Sequence, residues 1–345
     1  MVAIRLADQT PGRDNNFNLI RFCAAAAVIL FHSYALTGRW TDEPLWKLAP
    51  EVNFGALGVK AFFFVSGLLV TKSYSEREEL IAFMAARILR IYPALFCATL
   101  VTITLAAWSS ALPLGTFVAD RETIDYAWRT ATAFDVRDRL PGAYATNSYP
   151  DSVNGSLWTL PVELRLYLAL AIAGFAGILA HRRAWLLLVV ALGAVFAAKP
   201  AWFPLAEYGP ATRNLALMFA LGSLAYVWRD RIQVSATAAL VSVVLVAWNP
   251  LGLGRGLLFE PLLAYVLLVT AYHPRLAWPA FNRGGDYSYG LYIYAFPIQQ
   301  TVARLVPSVE PIAMFALAFP PTLALAAISW HLVENPALGL KSRFQ

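Results

Sequence analysis

Arg21 and His32 stand eleven positions apart in an otherwise apolar stretch, 17–37. At 100° per residue this spacing returns both side chains to nearly one helix face, roughly 16 Å apart along the axis. A helix of that length spans a bilayer, which puts one group in each half of it. Ionisable groups at such depth are costly, and by default they face a wet cavity or a protein interior and mark function. The plainer alternative is a snorkelling arginine and a hydrogen-bonded packing histidine. Glu163 adds a third group. In a segment running inward from Leu157 it lies roughly 9 Å below the outer boundary, a depth comparable to that of His32. Tyr167, one turn on, shares its face. An imidazole and a carboxylate at one depth on different helices suit proton transfer, whereas an ion pair of Glu163 with Arg165 or Lys60 would serve packing alone. Arg87 and Arg90, three apart at a helix entrance, form either a phosphate clamp of planar forks or an ordinary cytoplasmic anchor.

The elements that must position these groups follow from composition. Hydrophobic residues make up 59% of the 345-residue chain and charged residues 14%, with a mean hydropathy of +0.56. A soluble domain has about a quarter of its residues charged, so the chain reads as an all-α integral membrane protein. Apolar segments fall at 17–37, 54–74, 88–111, 157–179, 184–198, 211–228, 234–249, 256–272, 286–306 and 311–333, which predicts about ten transmembrane helices in one transmembrane domain, 1–345. The longest polar interval, 112–156, is the expected extracytoplasmic loop, a lid with a short amphipathic helix near 121–134. The net charge of +6 is a topology signal rather than a nucleic-acid one. Fourteen Lys and Arg between Arg5 and Arg343 fall at one set of helix ends, and the opposite short loops hold Arg39, Lys47, Lys199, Arg213, Arg255 and Arg304. That asymmetry predicts cytoplasmic N- and C-termini.

Finer expectations attach to single residues. The first segment carries Arg21 and His32 and no small-residue cleavage pattern, so it is expected to be retained rather than cleaved as a signal peptide. Pro11-Gly12 should break the chain before a helix start at Asp14-Asn15-Asn16. Gly67 permits close helix approach, and Lys60 snorkels near the outer end of its span. Glu260 is buried with no assigned role, Asp286 suits a helix start, and Glu334 with Pro336 should end the last helix. Cys23 and Cys97 read as packing residues. No Gly-rich nucleotide loop, metal-ligand spacing or Gly-x-Ser-x-Gly elbow is present, so no metal is expected.

Taken in order, Arg21 with His32, FFFVSGLLV (62–70), RILRIYP (87–93), GSLWTLPVE (155–163) and DYSYGLYIYAFPI (286–298) resemble the acyltransferase-3 family of integral membrane O-acyltransferases. The similarity is to bacterial polysaccharide and lipopolysaccharide O-acetyltransferases without an appended hydrolase domain, which implies the bacterial inner membrane as the expected location. The resemblance implies that His32 is the catalytic histidine with Arg21 as its motif partner. It also implies that Arg87 and Arg90 serve acyl-coenzyme A and that Glu163 is an essential acid. Many members carry a histidine two residues before the proline of the ninth span, where this chain has Ala295, and this throws more of the proton chemistry onto His32.

The resulting expectation is transfer of an acyl group, acetyl foremost, from cytoplasmic acetyl-CoA or another acyl-CoA to a hydroxyl of an extracytoplasmic or lipid-linked glycan. His32 would act as general base, its ordinary pKa lying near neutrality. Trp158, Tyr167 and Tyr292 are assigned to the acceptor. Two rivals stay open at this stage: a proton- or anion-coupled transporter using Arg21, His32 and Glu163 as a relay, and an acyltransferase acting on a small cytoplasmic metabolite.

Overall fold

The computed structural model describes residues 4–9, 15–48, 52–77, 79–133, 135–247 and 258–344. Pro11, Gly12 and Asp14 therefore lie outside the described residues. Asn15 does open the first long helix, its Oδ1 accepting from the Phe17 amide at 3.2 Å. The principal helices are α1 (Phe17–Leu36), α2 (Phe54–Arg77), α3 (Leu80–Ser109), α4 (Arg121–Thr132), α5 (Thr159–Phe175), α6 (Arg182–Ala198), α7 (Ala211–Val227), α8 (Ala236–Ala247), α9 (Phe259–Tyr272), α10 (Ser288–Leu305) and α11 (Pro311–Ser329). Each apolar stretch read from the sequence carries one of these helices. Among the described residues five helical stretches are long and apolar enough to cross a membrane: Phe17–Leu36, Phe54–Glu76, Leu80–Ser109, Gly155–Phe175 and Pro311–Phe344. The only named strands among the described residues, Ile4–Arg5 and Gln233–Val234, pair antiparallel.

Backbone proximity divides the chain into two compact units. One comprises Met1–Arg21, Val59–Phe83 and Arg165–Gly285; the other comprises Phe22–Gly58, Met84–Leu164 and Asp286–Gln345. The first unit is built on a reciprocal glycine contact between α2 and α7. A Cβ on Gly67 would lie 1.9 Å from the Phe219 carbonyl oxygen, and one on Gly222 would lie 2.1 Å from that of Phe64. Only hydrogen fits at both places, so the backbones touch, as the sequence led one to expect of Gly67. Beside this contact the Thr71 hydroxyl donates to Ser223 Oγ at 2.8 Å, and Trp185 Nε1 donates to the same oxygen at 3.1 Å. Lys60 does not snorkel: its ammonium lies 2.9 Å from Glu260 Oε1, with both side chains nearly sealed from solvent. A buried carboxylate facing it is the stronger attraction, which gives Glu260 the partner the sequence left unassigned.

The second unit is organised on α10, whose residues Ser288 to Gln300 are all buried. Gly290 lets it approach α11, since a Cβ there would meet Ala326 Cα at 2.7 Å. The last helix does not end at Glu334 and Pro336. Trp330–Glu334 forms a π turn, and helix resumes at Asn335–Gly339. Pro336 stands in the first turn of that new stretch, where its missing N–H breaks no hydrogen bond.

The polar interval 112–156 carries the amphipathic α4, capped by Asp120, whose Oδ1 accepts from the Glu122 amide at 2.8 Å. Phe117, Tyr126, Leu140, Tyr144 and Val153 form a small core beneath it. Burial pushes the phenols of Tyr126 and Tyr144 above their usual range. Gln300 fastens the end of this interval to α10. Its Nε2 donates to the carbonyls of Tyr149 at 2.8 Å and Ser152 at 2.6 Å, and its Oε1 accepts from Asn147 Nδ2 at 2.7 Å.

Candidate active site

Tyr289, Tyr292, Phe296 and Gln299 recur at intervals of three and four, so they form one stripe over roughly 15 Å of α10. Within the second unit, each member of the stripe meets a different element. At the start, Arg90 of α3 lies 5.7 Å from the centres of the Tyr289 and Trp330 rings. Its guanidinium bridges two acids, with Nη2 2.5 Å from Asp286 Oδ2 and Nη1 3.2 Å from Glu334 Oε2. Glu334 Oε1 also accepts from the Ser329 hydroxyl at 3.0 Å. The π turn is what aims Glu334 here, because its wider winding rotates the side chains that follow.

One turn along, the Tyr292 hydroxyl donates to the Ser156 carbonyl at 2.7 Å and shares a 2.7 Å hydrogen bond with Thr159 Oγ1. Ser156 belongs to the tight turn Gly155–Trp158 that leads into α5. Gly155 opens that turn, and a Cβ on it would press on the Phe296 ring at 3.0 Å. Glu163, four residues after Thr159 on α5, is close enough to act electrostatically on both Tyr289 and Tyr292.

The far end of the stripe meets α1. His32 packs edge-on against Phe296 with centroids 5.2 Å apart, and its Nδ1 lies 3.5 Å from Ser156 Oγ. Gln299 Nε2 then donates to the Ile29 carbonyl and to Ser33 Oγ, each at 2.8 Å, fixing the turn of α1 that carries the imidazole. Ser156 thus joins two halves of the site, by its side chain to His32 and by its carbonyl to Tyr292.

Of the residues singled out by sequence, His32, Glu163, Tyr292, Trp158, Arg87 and Arg90 fall in this unit. Trp158 is half-buried at the end of the tight turn, and Arg87 is half-buried one turn before Arg90. Arg21 and Tyr167 fall in the other unit, where the Tyr167 hydroxyl lies 2.6 Å from Ser66 Oγ. The Tyr292 hydroxyl already serves Ser156 and Thr159, which makes it a positioning group. Sequence reading missed Ser156, Thr159, Phe296 and Gln299, and it placed Asp286 and Glu334 only at helix ends. The three-and-four spacing along DYSYGLYIYAFPIQQ was the available signal. Ala295, on another face of α10, is buried.

Residues 14–331 match the acyltransferase domain family. The chain is 28% identical to the O-acetyl transferase of Shigella phage Sf6, with 96% of this chain and 98% of that protein aligned. It is also 28% identical to nodulation protein 10 of Rhizobium leguminosarum bv. viciae, over 97% of this chain and 96% of that one. No solved structure matches the chain.

Proposed function

The chain belongs to the acyltransferase domain family, and on that premise we propose that it moves an acetyl group from cytoplasmic acetyl-CoA to a glycan hydroxyl, with His32 as general base. The observation that carries this reading is the placement of Ser156 against both His32 and Tyr292, with Glu163 within electrostatic reach of the same tyrosine. A proton on Nδ1, donated toward Ser156, leaves Nε2 with its lone pair for the acceptor. In the step proposed, Nε2 takes the proton of the acceptor hydroxyl as that oxygen attacks the thioester carbonyl. The carbon–sulfur bond then breaks, and the coenzyme A thiolate leaves and is reprotonated. Glu163 balances the imidazolium charge through the tyrosine pair. The O-acetyl transferase name of the phage relative supports acetyl as the group moved.

Arg87 receives the donor phosphates in this reading, with Arg90 oriented beside it by Asp286 and Glu334. Trp158, at the end of the tight turn before α5, serves the acceptor in this reading. The arrangement follows the topology proposed from charge distribution, with ten spans, both termini cytoplasmic and the protein in the bacterial inner membrane.

The test uses purified protein in vesicles with radiolabelled acetyl-CoA and a surface polysaccharide as acceptor. His32→Ala should lower transfer at least about 100-fold, the scale of general-base catalysis, and Glu163→Gln should lower it comparably. Arg87→Ala should chiefly raise the donor KM. Near-normal turnover of His32→Ala in a folded protein would overturn the assignment.

A further inference from the structure

A hollow of about 160 Å³ opens in the second unit where the C-terminal ends of α1 and α10 meet the turn into α11. Thr37, Arg39, Ser148 and Ser308 give it hydroxyls and a guanidinium, and Leu36 forms part of its floor. Leu36 is one helical turn beyond His32, roughly 6 Å along the axis. We propose that this hollow, together with the neighbouring Tyr149, is the acceptor subsite and that it takes a neutral pyranose ring. The inference rests on the glycan-acceptor reading above and locates where that glycan binds.

Four observations carry it. Arg39 lines the hollow and is held in an ion pair by Glu310, which lies outside the lining. That pair offsets the guanidinium charge, so the hollow suits a polyol better than a phosphate or a carboxylate, and the remaining N–H groups of Arg39 and the hydroxyls of Ser148 and Ser308 can exchange hydrogen bonds with sugar hydroxyls. Tyr149 is half exposed, and its ring lies edge-on to Phe296 at 6.4 Å. Phe296, itself buried, in turn packs on His32 at 5.2 Å, so ring contacts run unbroken from Tyr149 to the imidazole. Exposed tyrosine faces of this kind receive the apolar side of a sugar ring.

The walls are also held in place. Gln300 clamps the backbone on either side of the Ser148–Tyr149 pair through the Asn147 side chain and the Tyr149 and Ser152 carbonyls. Tyr144 at φ 53°, Asp151 at φ 67° and Ser308 at φ 61° adopt the left-handed region without being glycine. Such strained residues concentrate at ligand sites, where the surrounding contacts over-determine them. Here two bracket the loop wall and the third lines the hollow itself.

The experiment fills the hollow and measures each substrate separately. Full-length protein in vesicles is assayed with acetyl-CoA and methyl pyranosides of the gluco, galacto, manno and 6-deoxy series. Ala303→Trp plugs the α10 wall, Ser148→Trp plugs the exposed loop wall with little demand on folding, and Tyr149→Ala removes the platform. Each should raise the acceptor KM tenfold or more, hold the donor KM within twofold and keep the wild-type thermal transition. Wild-type protein that acetylates a pyranoside, with Ser148→Trp and Ala303→Trp doing so at unchanged acceptor KM, overturns this subsite alone. Wild-type protein that releases coenzyme A to water yet acetylates no glycoside overturns the glycan reading, and the subsite falls with it.

Discussion

Replacing Arg90 with methionine takes the cation from between two acids while keeping most of the side-chain volume. The side chains of Glu334, Asp286 and Arg90 are 1%, 11% and 16% exposed, so solvent screens the three charges weakly. Removing one member of a buried pair costs about 3–5 kcal/mol, chiefly because the remaining charge is left uncompensated. Two carboxylates lose the cation they share in this case, while the hydrogen bonds from Ser329 to Glu334 and from Ser288 to Asp286 remain. Arg39 offers the contrast: its pair with Glu310 is 46% and 61% exposed, so Arg39→Met should cost about 0–1 kcal/mol. Denaturant unfolding in mild detergent, followed by tryptophan fluorescence, measures both. Adding Glu334→Gln to Arg90→Met should recover part of the loss, giving a coupling of about 1 kcal/mol or more in the double-mutant cycle. An Arg90→Met cost no larger than that of Arg39→Met, or a further loss on removing the Glu334 charge, would refute the account of a charge triad holding α3, α10 and the last helix together.

Other outcomes follow from the same contacts. Lys60→Met alone should destabilise by about 3–5 kcal/mol, while Lys60→Met with Glu260→Leu should return close to wild type, read by the same unfolding assay. Gly67→Ala and Gly222→Ala should each cost about 1–3 kcal/mol by forcing α2 and α7 apart. Gly193→Ala, with nothing within 4 Å of the added carbon, should be neutral or mildly stabilising. The raised phenols of Tyr126 and Tyr144 mean that the folded loop holds its protons more tightly than the unfolded chain. The stability they supply is therefore full below the ordinary phenol pKa of about 10 and lost as pH rises through the higher folded values. Phenolate absorbance and circular dichroism should change together in that range, and Tyr126→Phe should diminish the step.

The helices were legible because apolar length is a local property. Each of the segments, and the amphipathic turn after Asp120, could be read from a window of about twenty residues. A shared depth of His32 and Glu163 was expected from the sequence, whereas the contact of the imidazole with Ser156, in the turn before the fourth apolar segment, was not. What sequence could not show is pairing across the chain. Lys60 meets Glu260 two hundred positions away, and Arg90 meets Asp286 and Glu334, at separations of 196 and 244. No periodicity reports such partners. Glu334 was misplaced for a further reason, since a π turn leaves the apolar pattern intact while changing where the next side chain points.

Gln299 and Gln300 are adjacent, yet one secures the helix bearing the imidazole and the other secures the outer loop. Two neighbouring amides therefore tie the outer loop and the helix that carries His32 to one point of α10. An enzyme so braced does not wait for a cover to swing shut. Stiffening the loop further should therefore leave the rate of turnover where it is.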